Sequence, residues 1–217
     1  IFNTKKNNIN KIWQDHIKNH NIILICAVAF IFRIAFLLIV FPDYKPVDDA
    51  IQYVSLAENI IEGKGPMVSE KRLAYRLPGF GYYIALIWSV FGKSIFLIQF
   101  FNIVISVITV LFIYNLSEDL FTKYSNVKYL SSSFVALYPL FPFYACQVLT
   151  ETLFLFLLAL LLKLFWNLKN GNWKNYAFAG LLMGIGIMTK EAFLPIIIVL
   201  TIWLFFHLYN QQNRLQF

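Results

Sequence analysis

The chain has 217 residues, 59% of them hydrophobic and only 13% charged, with a net charge of +7. Soluble domains carry about 25% charged residues, so this balance excludes an ordinary water-soluble enzyme. The positive charge comes with no basic stripe or folded soluble module, which excludes a nucleic-acid partner; it fits a membrane protein whose Lys and Arg collect in cytoplasmic loops. Apolar residues fall in blocks near twenty long, about what ~30 Å of hydrocarbon requires at ~1.5 Å per residue. The expected fold is all-α and integral to the membrane: about six transmembrane helices, with a long first outer loop carrying short interfacial helices. Residues 1–217 read as a single transmembrane domain, the N-terminal part of a longer one.

In chain order, the first span is Asn21 to Phe41, ended by Pro42. Lys5, Lys6, Lys11 and Lys18 precede it against the single Asp15, which places the N-terminus in the cytoplasm. Residues 42–93 follow as the long polar loop, holding six of the eleven acidic residues. Within it, Asp48 to Glu62 is predicted as an amphipathic helix with Val54, Ala57 and Ile61 on its apolar stripe, widened by Tyr53 and Ile60. Gly63 and Gly65-Pro66 close that helix. Pro78 to Phe91 is too short for a span and is predicted to lie along the membrane interface.

The second span is Ser94 to Asn115, and Lys123 and Lys128 mark a cytoplasmic return. Residues 129–162 form one apolar tract, too long for a single crossing. Its polar interruption, Gln147 with Thr150, Glu151 and Thr152, predicts a tight outer turn between spans three and four. Lys163, Lys169 and Lys174 lie on the cytoplasmic side, with Lys163 expected to snorkel to that surface. Tyr176 to Met188 and Ala192 to Leu208 give spans five and six. Counting Lys and Arg thus puts the loop 42–93, Glu151 and the Lys190-Glu191 pair on one, outer face.

The candidate chemistry sits there. Adjacent carboxylates face about 100° apart on a helix, so Asp48 and Asp49 cannot share one task. Asp48 is expected to cap the helix and Asp49 to point into a cleft, on the same face as Tyr53 four residues on. Glu151 is a carboxylate in a short turn between two very apolar helices. Lys71, Arg72, Arg76 and Lys190 are cations suited to an anionic lipid headgroup or polyprenyl phosphate, and Arg can grip phosphate bidentately. Arg76 stands out because Leu77-Pro78-Gly79 follows it at once. Arg33, in the middle of span one, must face protein or water. Gly180 and Gly184 read as a small-residue packing pair. The cysteines Cys26 and Cys146 offer no disulfide framework, and the residues themselves imply no cofactor.

Several stretches resemble the GT-C membrane glycosyltransferases, close to protein mannosyltransferases and aminoarabinose-lipid A transferases. They are Asp49-Ala-Ile-Gln-Tyr53, Ala57 through Gly63, Arg76-Leu-Pro-Gly-Phe80, Tyr138-Pro139, Leu149-Thr-Glu151, and Ala179 through Gly184 to Met188-Thr-Lys190. The resemblance implies a sugar donor carried on a polyprenyl phosphate and an acceptor hydroxyl on a lipid, glycan or protein. It implies Asp49 as the catalytic base, with Asp48 the alternative one residue away. It implies Arg76 as a donor-phosphate residue and Glu151 as a second acidic position; the expected mechanism adds Lys190 at the phosphate and has Glu151, with Tyr53, orient substrate hydroxyls. It leaves a divalent metal open, because Tyr75 stands where some relatives carry an acidic residue. A single displacement in the inner membrane of the cell, with inversion at the sugar, is the expected reaction. A non-catalytic multi-pass protein, such as a transporter of lipid-linked saccharides, is the alternative.

Overall fold

A computed structural model describes residues 2–69, 72–73, 76–168 and 173–214, with side chains for 20–68, 76–168, 173–206 and 209. Lys71, Tyr75 and Lys169 lie outside the described residues, as do the side chains of Arg72, Lys5, Lys6, Lys11, Asp15 and Lys18. The first helix, α1 (Phe2–Val40), contains a stretch long and apolar enough to cross a bilayer at His20–Val40. Phe41 still donates to Leu37 O at 3.1 Å, and Pro42 then ends the ladder.

The region between α1 and Gly92 holds α2 (Asp49–Ile61), a two-stranded antiparallel pair β1 (Met67–Ser69) and β2 (Arg72–Leu73), and α3 (Gly79–Phe91). The strand pair is an addition to the all-α expectation: strands this short show no alternating pattern, and the chain turns from α2 into β1 through Gly63 and Gly65, both at positive φ. The buried face of α2 is Ala50, Tyr53, Leu56 and Ala57, whereas Ile61, expected on the apolar stripe, is exposed. At a membrane surface an apolar side chain can face lipid, so apolar spacing alone does not single out the protein-facing stripe. Tyr53 meets Phe80 of α3 edge-on at 5.1 Å, and Gly81 leaves the space that Leu56 fills. The other face of α3 exposes Tyr82, Leu86 and Val90.

Then come α4 (Ile95–Leu120), α5 (Val127–Leu137), α6 (Leu140–Ala145), α7 (Glu151–Asn167), α8 (Trp173–Thr189) and α9 (Phe193–Arg214). Ile95–Leu120 is the second helix that meets the length and hydropathy of a span, and Phe193–Phe206 is a shorter apolar stretch. The expected third span is not one helix. It breaks at Tyr138-Pro139 into α5 and α6, because Pro139 has no N–H to give the carbonyl of Val135.

Arg33 repairs that break. It is wholly buried and donates from Nη2 to Val135 O (3.1 Å) and from Nη1 to Ala136 O (3.0 Å), the carbonyls that lose their helical donors. Its remaining bonds go to Ser106 Oγ (2.8 Å) and Ala29 O (3.0 Å). A cation inside the bundle is thus held by dipoles.

One packing expectation changes. Nothing approaches a Cβ built on Gly180 or Gly184, so the small-residue pair makes no close helix contact among the described residues; Gly186 does, against the Phe193 ring. Lys163 pairs with Asp119 and reaches Asn115 O at 3.4 Å, because α4 continues past Asn115 and carries that carboxylate alongside α7.

Candidate active site

One cleft of about 340 Å³ is lined by Asp49, Tyr53, Arg76, Leu77, Thr150, Glu151, Thr189, Lys190, Glu191 and Ala192. It gathers Asp49, Tyr53, Arg76, Glu151 and Lys190 from four separate stretches of the chain. Asp48 is not among the lining residues, and its carboxylate does not cap α2. Val47 O accepts from Ala50 N at 2.9 Å, and Asp48 sits at φ 48° and ψ −115°. Those angles are the first corner of a type II′ turn, which favours glycine. The turn leaves Asp48 exposed and unable to fold back on the helix.

The walls are set by backbone. Asp49 is the first residue of α2 and Glu151 the first of α7, where the helix dipole favours a carboxylate. Glu191 lies two residues before α9. Arg76 and Leu77 are brought to Thr189 and Lys190 because Gly79 lies directly on the end of α8. A Cβ at residue 79 would stand 2.6 Å from the carbonyl atoms of Met188 and 2.8 Å from Thr189 N. Main-chain atoms cannot yield as a flexible side chain would, so position 79 must lack a side chain.

Two ion pairs face the cleft. Arg76 Nη2 donates to Asp49 Oδ1 at 2.5 Å, both side chains more than a third exposed. Lys190 Nζ donates to Glu151 Oε1 at 2.7 Å and stands 5.6 Å from the centre of the Phe154 ring. The other oxygen of Glu151, Oε2, is buried and meets no hydrogen-bond partner among the described residues. Burial raises the Tyr53 hydroxyl above its ordinary range, opposed by Arg76 and by a hydrogen bond with Thr150, so it stays a neutral hydroxyl.

Thr150, Thr189 and Glu191 line the cleft without having been singled out as site residues. Each adjoins one that was, and each lies at a helix end on the same side, which is the signal that points to them. Among the described residues, no group of three or more His, Cys, Asp or Glu side chains could hold a metal ion.

This cleft therefore offers two cations, three carboxylates and hydroxyls at the edge of an apolar helix bundle. It can hold a phosphate-bearing headgroup and accept a proton from a hydroxyl beside it. Neither the curated proteins nor the solved structures yield a match to the chain. A family model described as dolichyl-phosphate-mannose-protein mannosyltransferase matches residues 76–216, a region that begins at Arg76 and takes in Glu151 and Lys190 but not Asp49. That is well over half of the sequence, so the chain belongs to this GT-C family of membrane glycosyltransferases.

Proposed function

We propose that the protein transfers a sugar from a polyprenyl-phosphate donor to an acceptor hydroxyl on the outer face of the cell's inner membrane, inverting the anomeric centre. The observation that carries this reading is the convergence of Asp49, Arg76, Glu151 and Lys190 on one cleft. The acceptor oxygen attacks the anomeric carbon, the bond from that carbon to the phosphate oxygen breaks, and the acceptor proton passes to Asp49. Polyprenyl phosphate leaves with its charge held by Arg76 and Lys190. A phosphate is already a good leaving group, so one base and two cations meet the chemical need.

The ion pairs give the resting state of this machinery. Asp49 and Arg76 neutralise each other until a donor phosphate takes the guanidinium, which leaves the carboxylate free to accept a proton. The unpartnered Oε2 of Glu151 is an acceptor for a substrate hydroxyl, and Tyr53 a neutral donor beside it. Asp49 is preferred over Asp48 as the base because it lines the cleft. The described residues lack a cluster that fits a metal, and no step is assigned to one.

The proposed arrangement crosses the membrane about six times, with the N-terminus cytoplasmic and the cleft outside, as part of a longer transmembrane domain. In a background lacking Cys26 and Cys146, a cysteine at Lys45 should react with an impermeant thiol reagent added to intact cells. One at Tyr124 should react only once the membrane is opened; labelling of Tyr124 from outside refutes the topology.

The chemical test is Asp49→Asn in the full-length protein, with transfer from a polyprenyl-phosphate sugar as readout. Loss of a positioned base costs about 10²–10⁴-fold in rate, with membrane insertion unchanged. Asp48→Asn should be mild. If both variants transfer at the wild-type rate, the outer-loop carboxylates are structural. A transporter of lipid-linked saccharides, which needs no base, then becomes the better account.

A further inference from the structure

The link between α6 and α7, residues 146–150, is irregular backbone buried within the bundle: Cys146 and Val148 have no exposed surface. Buried main-chain polar groups need partners wherever the helical ladder stops. Here the partners come from elsewhere in the chain. Gln99 Nε2 donates to Cys146 O at 2.7 Å, and Asn102 Nδ2 donates to Gln147 O at 2.9 Å. Val148 N donates to Tyr44 Oη at 3.2 Å. Gln99 and Asn102 are three apart on α4, so both face the link from one side of one helix. Both are buried, within a span that is otherwise strongly apolar.

Three consecutive residues of the link are therefore fixed by three side chains from outside it. Two residues further on, Thr150 and Glu151 line the cleft. Glu151 opens a rigid helix, so a shift or rotation of the link moves its carboxylate relative to Lys190. Asn102 adds an observation of its own. Its Oδ1 is buried and accepts no hydrogen bond among the described residues. An amide that leaves one end unsatisfied contributes little net stability; what it contributes is direction.

We infer that Gln99, Asn102 and Tyr44 are positioning residues for sugar transfer: they hold the link 146–148 so that Glu151 stands correctly in the cleft. This rests on the role proposed for Glu151. None of the three lines the cleft, and they act through the main chain of the link.

The test is a double-mutant cycle in the full-length protein, measuring kcat and KM for transfer from a polyprenyl-phosphate sugar. Asn102→Leu keeps the branching and the number of side-chain heavy atoms and removes the donor. Tyr44→Phe keeps the ring, which packs edge-on against Phe41 at 5.7 Å, and removes only the hydroxyl. Small misplacement of a reacting group costs up to about 10²-fold. Asn102→Leu should therefore lower kcat/KM by about tenfold to a hundredfold, and Tyr44→Phe by several-fold. In a Glu151→Gln background each substitution should have little further effect, because the residue it positions no longer works. A merely structural role gives losses that multiply across the two backgrounds.

Multiplying losses, or full activity in Tyr44→Phe, overturn the positioning role even if Asn102→Leu fails to insert. Wild-type transfer by Glu151→Gln itself would instead overturn the function assigned to Glu151, and the two failures are told apart by that single mutant.

Discussion

Arg33 lies in the middle of the first span with no exposed surface, bonded to three backbone carbonyls and a serine hydroxyl. Arg76 stands at the edge of the cleft, more than a third exposed, with an ion pair to Asp49. The same side chain does opposite things in the two places. Around Arg33 the acceptors are main-chain groups that cannot leave, and its donors are nearly all used, so the site has no capacity for a ligand. Around Arg76 the partner is a side chain at a solvent-accessible surface, where such a pair is worth only about 0–1 kcal/mol. A phosphate can displace it. A buried cation held by fixed main-chain dipoles is architecture, whereas a partly exposed cation paired with a side-chain carboxylate is open to exchange.

The comparison is broken most severely at Arg33. Arg33→Leu leaves the carbonyls of Val135 and Ala136 without donors inside the bundle, at about 1–3 kcal/mol for each orphaned group. The expected result is a large loss of folded yield and a much lower melting temperature in detergent. Wild-type thermal stability in that variant would show that the break between α5 and α6 does not depend on its arginine.

A smaller effect, on activity alone, is expected at the cleft. Arg76→Lys keeps the charge but loses the planar fork that grips phosphate. It should lower kcat/KM for the donor by about tenfold to a hundredfold while melting as the wild type does. If Arg76→Lys transfers sugar at full rate, the residue is an interfacial anchor, and the contrast with Arg33 disappears.

The smallest effect is expected at Asp48→Gly. Relief of a positive φ in a non-glycine residue is worth about 1 kcal/mol, so this variant should melt slightly higher, with transfer nearly unchanged. A marked loss of transfer would instead give the Asp48 carboxylate a share in the chemistry.

Much of this was legible in the residues. The amphipathic segment 48–62 and the apolar segment 78–91 became α2 and α3 nearly to the residue, since Gly63 and the Gly92 end are strong stops. Counting charges grouped Asp49, Arg76, Glu151 and Lys190 on one side, and the structure places them around one cleft. What escaped notice shares a physical cause. The break at Pro139 is marked by a proline in the sequence, but hydropathy averages over a tract and does not register it. The partners of Arg33, and those of Gln99 and Asn102, are main-chain carbonyls, which every residue carries and no sequence pattern marks. The capping role expected of Asp48 failed because the choice between a cap and a tight turn depends on dihedral angles, and Asp is compatible with both.

Gly79 gives the cleft one dimension that does not adjust. Main chain meets main chain there, with only a hydrogen atom of α3 against the carbonyl of Met188. No rotamer exists at that contact to swing aside. Arg76 lies three residues before it and Lys190 two residues after Met188, so the two cations are mounted on a jaw of fixed gape. Their long side chains can reach inward, but the mounts already stand at the closest approach that main chain allows. A headgroup gripped by both cations is thus gauged for size by the backbone, before any side chain tests its charge.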